Sequence, residues 1–336
     1  MATANINDVA RSAGVSKTTV SRVLNGRYEY MTTETRARVE AAIEALQFNP
    51  NNIARSLKRK RTNTIGAIVA NIMNPFSTAI TRGIEDYCHV AGYSLIICNA
   101  DDSAEKERAY VQVLRARQSD GLIINTTGQN QELFQELAEA GFPLVLLDRK
   151  LEGVQADAVT LDNAKATALA MAHLLGRGYR RIAIVVYPPH GLSSRTERLE
   201  GYRKALEEAG LPIDDSLIKI AEPHPGAARE KVRELLSMQP LPEAIFATNY
   251  LINLEVLAAV KEGGLRVPGD VAIMGFDDAE WTPLLDPPLT TVAQPTYEMG
   301  RRAAELLVKR IESKRPRKPM LHLMEPQLVI RKSCGE

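Results

Sequence analysis

The sequence predicts an α/β protein in which an all-α helix-turn-helix headpiece precedes a core of parallel, doubly wound sheets. Three observations support this fold class. The chain up to Thr64 contains three short segments whose apolar residues recur with helical spacing. Beyond Thr64, short apolar runs alternate with amphipathic segments, which is typical of parallel sheets covered by helices on both faces. The length of 336 residues suits two or three folded units.

The overall composition is that of an ordinary globular protein. Hydrophobic residues make up 45% of the chain and charged residues 25%. No N-terminal apolar stretch resembles a signal peptide, and no apolar run is long enough to span a membrane. The three cysteines are widely spaced and odd in number, a pattern that fits neither a disulfide framework nor a metal cluster. We therefore expect a reduced, cytoplasmic protein with no membrane partner.

The positive charge is concentrated near the N-terminus. Up to Thr64, eleven basic minus five acidic residues leave a net charge of +6, and because the whole chain carries +1, the remainder carries −5. A basic N-terminal segment followed by a mildly acidic remainder is typical of a nucleic-acid-binding module joined to another domain. Basic N-terminal tails are also common, so the charge alone is weak evidence.

Two short helices joined through Ala13-Gly-Val-Ser16 form the predicted helix-turn-helix. Asn5 and Asp8 are a capping pair for the first helix, and Ser16 caps a second helix from Lys17 to Leu24. A third amphipathic helix is expected from about Thr33 to Gln47. The second helix of such a motif can enter the major groove of DNA.

The polar face of the second helix carries side chains that can read base edges. Arg22 can donate two hydrogen bonds to guanine, Lys17 can donate to the same edge, and Thr18 can contact a base edge or a thymine methyl group. The alternative is a small helical cap with a solvated polar face. The DNA contacts expected from this region come from Ser16, Lys17, Thr18, Ser21, Arg22 and Asn25.

The next segment, Asn49 to Leu57, is helix-capable but has too little apolar surface to fold alone. It precedes the basic run Lys58–Arg61, and Leu57 suits an apolar wedge between base steps in the minor groove. A flexible basic linker is the alternative. The DNA contacts expected here come from Asn51, Ala54, Arg55 and Leu57.

These N-terminal motifs resemble the lac repressor (LacI/GalR) family. The matching stretches are Asp8-Val-Ala, Ala13-Gly-Val-Ser16, Thr19-Val-Ser-Arg-Val-Leu-Asn25, Asn49-Pro-Asn51 and Ala54-Arg-Ser-Leu57. The resemblance implies a headpiece over residues 1–49, a hinge helix and linker over residues 50–63, and a homodimer that reads a palindromic operator in double-stranded DNA.

Apolar runs in the rest of the chain predict buried strands. These runs are Ile65–Ala70, Ser94–Cys98, Gly121–Ile124, Leu144–Leu147, Ile182–Val186, Ala244–Ala247 and Val271–Met274. The amphipathic segments between them include Phe76–Ala91, Ala164–Leu175, Arg198–Ala209 and Leu251–Glu262. Ligands of open parallel sheets bind beyond the carboxyl ends of the strands, and many of the residues there are Asn, Asp, Gln or Arg.

The core also resembles the lac repressor family and, through it, the periplasmic sugar-binding fold. Matching stretches include Asn74-Pro-Phe, Leu147-Asp-Arg, Gly275-Phe-Asp-Asp278 and Gln294-Pro295. The resemblance implies an effector-binding and dimerisation core over residues 64–336. Its N-subdomain is expected at about 64–161 and 294–321, and its C-subdomain at about 162–293 and 322–331.

The candidate effector pocket combines family positions with further polar and aromatic residues. Carried over position by position, the family pocket comprises Asn74, Asp148, Ser194, Arg198, Asn249, Asp277 and Gln294. The complete candidate set adds Phe76, Arg149, Arg195 and Trp281. Any single Asn or Asp can instead cap the following helix, and Trp281 can stack on a sugar-like chain or simply pack. Tyr250 stands where the family usually has Asp.

The arginines of this set favour an acidic ligand, because a guanidinium fork matches a carboxylate. The segment Asp277-Asp-Ala-Glu-Trp-Thr282 also resembles regulators that answer to gluconate and ketogluconate. We expect a repressor of a carbohydrate or sugar-acid catabolic operon that a sugar acid releases from its operator. A neutral sugar, a phosphorylated sugar and a purine are the alternative effectors.

Two other functional classes are disfavoured. The chain contains no phosphate-binding Gly-x-x-x-x-Gly-Lys loop, no Gly-x-Ser-x-Gly elbow, no His-Glu-x-x-His and no Cys-x-x-Cys. We therefore expect neither an enzyme nor a bound cofactor or metal. A transport binding protein would need a secretion signal and would not carry the Lys17 to Arg22 face. The C-terminal segment has no heptad pattern that would predict a tetramer, so we expect a dimer.

Overall fold

The computed structural model describes residues 4–48, 61–313, 315 and 317–335 of the chain. These residues form two compact units, the first ending at Thr62 and the second beginning at Asn63. The first unit contains helices α1 (Ile6–Ser12), α2 (Lys17–Leu24) and α3 (Thr33–Ala45). The predicted hinge helix, with Asn51, Ala54, Arg55 and Leu57, lies outside the described residues.

Side-chain caps define the headpiece helices. The Asn5 side chain accepts a hydrogen bond from the Asn7 amide at 2.8 Å, and Asp8 accepts one from the Asn5 amide at 2.9 Å, which completes a capping box. Ser16 caps α2 by accepting from the Thr19 amide at 3.2 Å. The predicted third helix ends two residues early, because Gln47 adopts a left-handed conformation with φ of 44°.

The second unit contains two six-stranded sheets. In spatial order, the first sheet comprises β11 (Leu321–Met324), β5 (Asp157–Leu161), β4 (Leu144–Leu147), β3 (Gly121–Ile124), β1 (Thr64–Val69) and β2 (Ser94–Asn99). The second comprises β12 (Gln327–Val329), β10 (Thr290–Ala293), β9 (Ala272–Phe276), β8 (Ala244–Ala247), β6 (Ile182–Val186) and β7 (Ile218–Ile220). Every strand pairing is parallel except that of β10 with β12.

Helices cover both faces of each sheet. They are α4 (Pro75–Val90), α5 (Ala104–Ala116), α6 (Gln131–Glu139), α7 (Asn163–Gly176), α8 (Ser193–Glu208), α9 (Ala227–Leu236), α10 (Tyr250–Glu262) and α11 (Thr296–Glu312). In the first sheet, Ile65 and Ala67 of β1 pack in the core with α4 and α11, whereas Ile68 packs in the core with α5 and α6. This alternation confirms the predicted doubly wound α/β class.

Each of the seven predicted strands is present, with ends within two residues of those expected. Five strands were not predicted: β7, β11 and β12 form sheet edges, and β5 and β10 lie next to an edge. Each is only three to five residues long, and polar residues interrupt its apolar pattern. The expected subdomain boundary near the C-terminus needs correction. Because β11 pairs with β5, residues 321–324 belong to the first sheet, and the chain crosses to the second sheet between Met324 and Gln327.

Within the described ranges, no helix combines the length and the apolar character that crossing a bilayer requires.

Two glycines allow α4 and α11 to cross in direct backbone contact. A Cβ atom on Gly300 would lie 2.0 Å from the Ile80 carbonyl oxygen, and one on Gly83 would lie 2.1 Å from the Tyr297 carbonyl oxygen. Because both obstacles are backbone atoms, only separation of the helices would make room for a methyl group.

We expect Gly300→Ala to lower the free energy of unfolding by about 1–3 kcal/mol, the usual cost of overpacking. The matched control is Gly176→Ala, also in a helix but with no atom within 4 Å of the added methyl group. Alanine is the better helix former, so the control should be neutral or slightly stabilising. Urea unfolding followed by circular dichroism measures both, and equal effects would contradict the close-crossing account.

Candidate functional site

A cleft that opens to solvent lies at the carboxyl ends of the strands of both sheets. Asp148 reaches it directly after β4 of the first sheet. Tyr187, Thr248 and Asp277 reach it directly after β6, β8 and β9 of the second. This is where parallel sheets place ligands, because loops after neighbouring strands converge there.

Ten of the eleven predicted pocket residues line this cleft. They are Asn74, Phe76, Asp148, Arg149, Ser194, Arg195, Arg198, Asn249, Asp277 and Gln294. The exception is Trp281, whose indole N–H donates to the Tyr250 hydroxyl at 3.1 Å while the two rings meet edge to face at 5.8 Å. Trp281 is not among the residues that line the cleft, and its contact with the ligand stays a prediction. Its indole packs against Tyr250, the residue that departs from the family pattern.

Several lining residues were absent from the predicted set. They are Ala70, Asn71, Ser77, Asp102, Asn125, Tyr187, Pro223, Thr248 and Leu251. Tyr187 and Thr248 immediately follow strands β6 and β8, so the rule that ligands bind beyond strand ends already contained the signal for them. Pro223 and Leu251 follow no such rule, and only the folded loops bring them to the cleft.

Arg198 is the most buried cation of the cleft, with 6% of its surface exposed. Its Nε donates to Asn163 Oδ1 at 2.8 Å, and its Nη1 donates to the Thr248 carbonyl at 2.7 Å. The guanidinium lies 3.7 Å from the centre of the Phe276 ring. Burial lowers the pKa of Arg198, while the carboxylates of Asp148 and Asp277 oppose that shift. These contacts fix Arg198 to the second sheet.

Arg149 and Arg195 differ in how their charges are balanced. Arg149 Nε lies 3.3 Å from Asp148 Oδ2. Arg195 stacks on the Tyr187 ring at 5.3 Å and donates to the Pro188 carbonyl at 3.2 Å. Among the described residues, no carboxylate forms an ion pair with Arg195. Burial, and then the positive charge of Arg149, lower the pKa of Arg195 to about 10, so it remains a cation near neutral pH.

The other end of the cleft is arranged around Asp277. Its carboxylate accepts hydrogen bonds from Gln294 Nε2 at 2.6 Å and from the Tyr250 amide at 3.1 Å. Burial raises the pKa of Asp277, although the charge of Arg198 opposes the shift. Gln294 Oε1 is buried and has no hydrogen-bond partner among the described residues, which leaves an acceptor available for a ligand hydroxyl.

Asn74 and Asn249 serve as helix caps and still face the cleft. The Asn74 side-chain oxygen accepts from the Phe76 amide at 3.0 Å, and the Asn249 oxygen accepts from the Leu251 amide at 2.9 Å. In the part of the chain that the structure describes, neither side-chain amide nitrogen has a hydrogen-bond partner. Capping and ligand binding are therefore compatible at both positions, since the cap uses only the oxygen.

The polar face of α2 is accessible in the headpiece. Ser16, Lys17, Thr18 and Arg22 are exposed, whereas Val20 and Val23 are buried against the other two helices. Ser21 and Asn25 are half-buried at the end of the same helix, where Asn25 Nδ2 donates to the Ser21 carbonyl. The Arg22 guanidinium lies 5.1 Å from the centre of the Tyr30 ring.

The described residues contain no group of three or more His, Cys, Asp or Glu side chains arranged to hold a metal ion.

Two family models match different parts of the chain. The model described as bacterial regulatory proteins, lacI family, matches residues 5–51. The model described as a periplasmic binding protein-like domain matches residues 171–334.

Curated relatives match the chain over nearly its full length. It is 40% identical to the HTH-type transcriptional regulator KdgR of Bacillus subtilis, over 98% of this chain and 97% of the relative. It is also 40% identical to the probable HTH-type transcriptional regulator EndR of Paenibacillus polymyxa, over 92% and 91%. The solved structure of the lac repressor dimer bound to operator and the anti-inducer ONPF superposes with a TM-score of 0.87, at 26% identity and over 100% of both chains.

We expect the stability of Asp277→Asn relative to the wild type to rise by about 1 kcal/mol between pH 5 and pH 8, a typical point-mutation effect. Because burial raises the pKa of Asp277, its ionised form costs stability above that pKa. This cost decreases as the pH falls through the raised pKa. It is gone below the ordinary pKa of an Asp carboxyl, where the group is protonated in both the folded and the unfolded state. The Asn side chain can still accept from the Tyr250 amide and donate to the free Gln294 Oε1.

The matched control for this prediction is the neighbouring Asp278→Asn. Burial raises the pKa of Asp278, but hydrogen bonds from Arg331, Thr291 and Thr282 lower it overall, so this carboxylate stabilises the fold and its replacement should be destabilising. Urea unfolding at pH 5 and pH 8 distinguishes the two. A loss of stability from Asp277→Asn that is equal at both pH values would contradict the account.

Proposed function

The chain belongs to the lacI family of bacterial regulatory proteins, and on that premise we propose that it is a repressor that a sugar acid releases from its operator. Family membership makes it a DNA-binding transcription regulator rather than an enzyme. The identity of the effector goes beyond family membership and depends on the chemistry of the cleft.

Arg195 carries the choice of an acidic effector, because no described carboxylate forms an ion pair with it and the more distant Asp102 and Asp148 offset its charge only in part. A guanidinium removed from water loses hydration that only an anion with matching geometry restores well. Arg195 uses one donor on the Pro188 carbonyl and forms no ion pair with the described residues, so most of its donors are available. A carboxylate can accept two of them side by side, whereas a neutral hydroxyl would leave the positive charge unbalanced.

The rest of the cleft suits the hydroxyl groups of the same ligand. Asp148 and Asp277 offer carboxylate acceptors, Gln294 offers a free side-chain oxygen, and Asn74 and Asn249 offer amide donors. A ligand hydroxyl can therefore both donate and accept a hydrogen bond in this cleft. We therefore assign the carboxylate of the effector to the Arg195 end and its hydroxyl groups to the Asp277 end.

A neutral sugar is the second candidate. The solved CelR–cellobiose complex superposes with a TM-score of 0.74, at 32% identity and over 98% of this chain and 99% of that chain. In that complex a related protein is solved with a neutral disaccharide, and the carboxylates of Asp148 and Asp277 would also suit neutral hydroxyl groups. This candidate leaves the charge of Arg195 without a role.

The proposal for DNA binding rests on the residues of the headpiece and the predicted hinge. Operator recognition is assigned to the exposed face of α2, with Lys17, Thr18 and Arg22 at base edges, and to a minor-groove wedge at Leu57. The related lac repressor was solved as a dimer on its operator. We propose the same assembly for this protein, a homodimer on a palindromic operator in the cytoplasm.

The test of this function begins with operator DNA selected from random sequence. Fluorescence anisotropy at one salt concentration then measures operator binding with and without gluconate, 2-ketogluconate, cellobiose and glucose. We expect tight binding to a palindrome and a loss of affinity of about 5–150-fold with one of the acids. Release by a neutral sugar alone would favour the second candidate, and the absence of any preferred sequence would contradict the operator proposal.

We expect Arg195→Gln to weaken binding of the active acid about 10–150-fold, because a hydrogen bond to a charged group contributes about 1.5–3 kcal/mol. Its effect on neutral sugars should be much smaller. The matched control is Arg203→Gln on the same helix, where the exposed side chain pairs with Asp215 at 2.9 Å. Isothermal titration calorimetry measures both variants, and equal losses would remove Arg195 from the acid site.

A further inference from the structure

Arg149 and Arg195, which both line the cleft, belong to different subdomains and are anchored to different loops. Arg149 follows β4 of the first sheet and donates from Nη1 to the Thr126 carbonyl. Arg195 lies in the first turn of α8 beside the second sheet and donates to the Pro188 carbonyl. We call residues 125–130 the first loop and residues 187–192 the second loop. The position of each loop therefore sets the position of one guanidinium.

The two loops touch each other at a pair of glycines. A Cβ atom on Gly128 would lie 2.6 Å from the Gly191 carbonyl oxygen, and one on Gly191 would lie 3.1 Å from the Gly128 carbonyl oxygen. Both residues have positive φ, 86° and 74°. No residue with a side chain would allow the loops to approach this closely.

Hydrogen bonds to Glu107, a fully buried carboxylate, hold the first loop in place. Its two oxygens accept hydrogen bonds from the Thr127 amide and the Thr127 hydroxyl, both at 2.8 Å, and from Asn130 Nδ2 at 2.9 Å. These bonds hold both flanks of Gly128. The loop therefore moves as one body with the first subdomain, and Arg149 moves with it.

The touching loops anchor two like charges that line the same cleft. Burial, and then the positive charge of Arg149, lower the pKa of Arg195, while Asp102 and Asp148 oppose that shift. Beside them, Lys150 and Glu197 form an attractive pair across the same boundary at 2.6 Å. Repulsion between the arginines is thus the unfavourable electrostatic contribution to an otherwise favourable contact.

We propose that Arg149 and Arg195 form an electrostatic lock that makes cleft closure depend on the charge of the ligand. In the ligand-free protein their repulsion favours an open cleft. An anionic group that bridges the two guanidiniums removes the repulsion and stabilises the Gly128–Gly191 contact. Neutral sugars of similar shape then bind without closing the cleft to the same extent, because they leave the repulsion in place. This inference rests on the acid site proposed above.

Distances between spin labels on the two subdomains test the lock in the full-length protein. The labels are placed at the exposed positions Glu132→Cys in α6 and Glu200→Cys in α8, with Cys98→Ser to avoid unwanted labelling. In the ligand-free protein, we expect Arg149→Gln to increase the closed-to-open population ratio at least about fivefold. Gluconate and 2-ketogluconate should produce a similar shift in the wild-type protein, and glucose should not.

The glycine contact is tested by Gly128→Ala, which should weaken binding of the acid at least about fivefold and reduce the closed population. Gly141→Ala is the matched control, because Gly141 has a φ of 70° but no atom within 4 Å of the added methyl group. It carries the same backbone cost without the obstruction. Equal effects of the two variants would overturn the role of the contact.

The outcomes distinguish a failure of the electrostatic lock from a failure of the sugar-acid proposal on which it rests. If neither acid binds the wild-type protein, the sugar-acid proposal fails, and the ligand-free comparison of Arg149→Gln with wild type still decides whether the arginines oppose closure. If an acid binds but Arg149→Gln leaves the ligand-free distances unchanged, the lock is overturned. Closure by glucose equal to that by the acids would overturn it as well.

Discussion

Burial of the Arg198 guanidinium is the constraint on which the arrangement of the cleft depends. A cation that is 94% enclosed requires hydrogen-bond acceptors and negative charge nearby, because only 6% of its surface reaches solvent. Asn163 and the Thr248 carbonyl supply the acceptors, and Asp148 and Asp277 supply the charge. Since Asp148 follows a strand of the first sheet and Asp277 a strand of the second, Arg198 interacts electrostatically with both subdomains.

The same electrostatic balance explains why ligand charge is central to the proposed regulation. A ligand shifts a conformational equilibrium only through a difference in affinity for the two states. In the proposed lock this difference arises at Arg149 and Arg195, which belong to different subdomains. A ligand that neutralises them gains most in the closed state, whereas hydroxyl groups bound at the Asp277 end add affinity with less dependence on closure.

Local patterns predicted much of the fold, and contacts between distant segments account for what they missed. The headpiece helices and seven of the strands have caps, periodicity or apolar runs that can be identified within a few residues. Ten of the candidate pocket residues line one cleft because strand ends converge in a parallel sheet. The packing of Trp281 on Tyr250 could not be predicted, because these residues lie 31 positions apart and meet only in the folded chain. The Gly128–Gly191 contact joins residues 63 positions apart, and neither turn shows a local sign of it.

The most direct test of the account compares two couplings at one salt concentration. Calorimetry measures the affinity of the active sugar acid for the free protein and for the protein saturated with operator DNA. Anisotropy measures operator affinity with and without saturating acid. We expect acid and operator to weaken each other by the same factor, about 5–150-fold, because coupling free energies are reciprocal. If neither ligand changed the affinity of the other, the link between cleft and DNA would be contradicted.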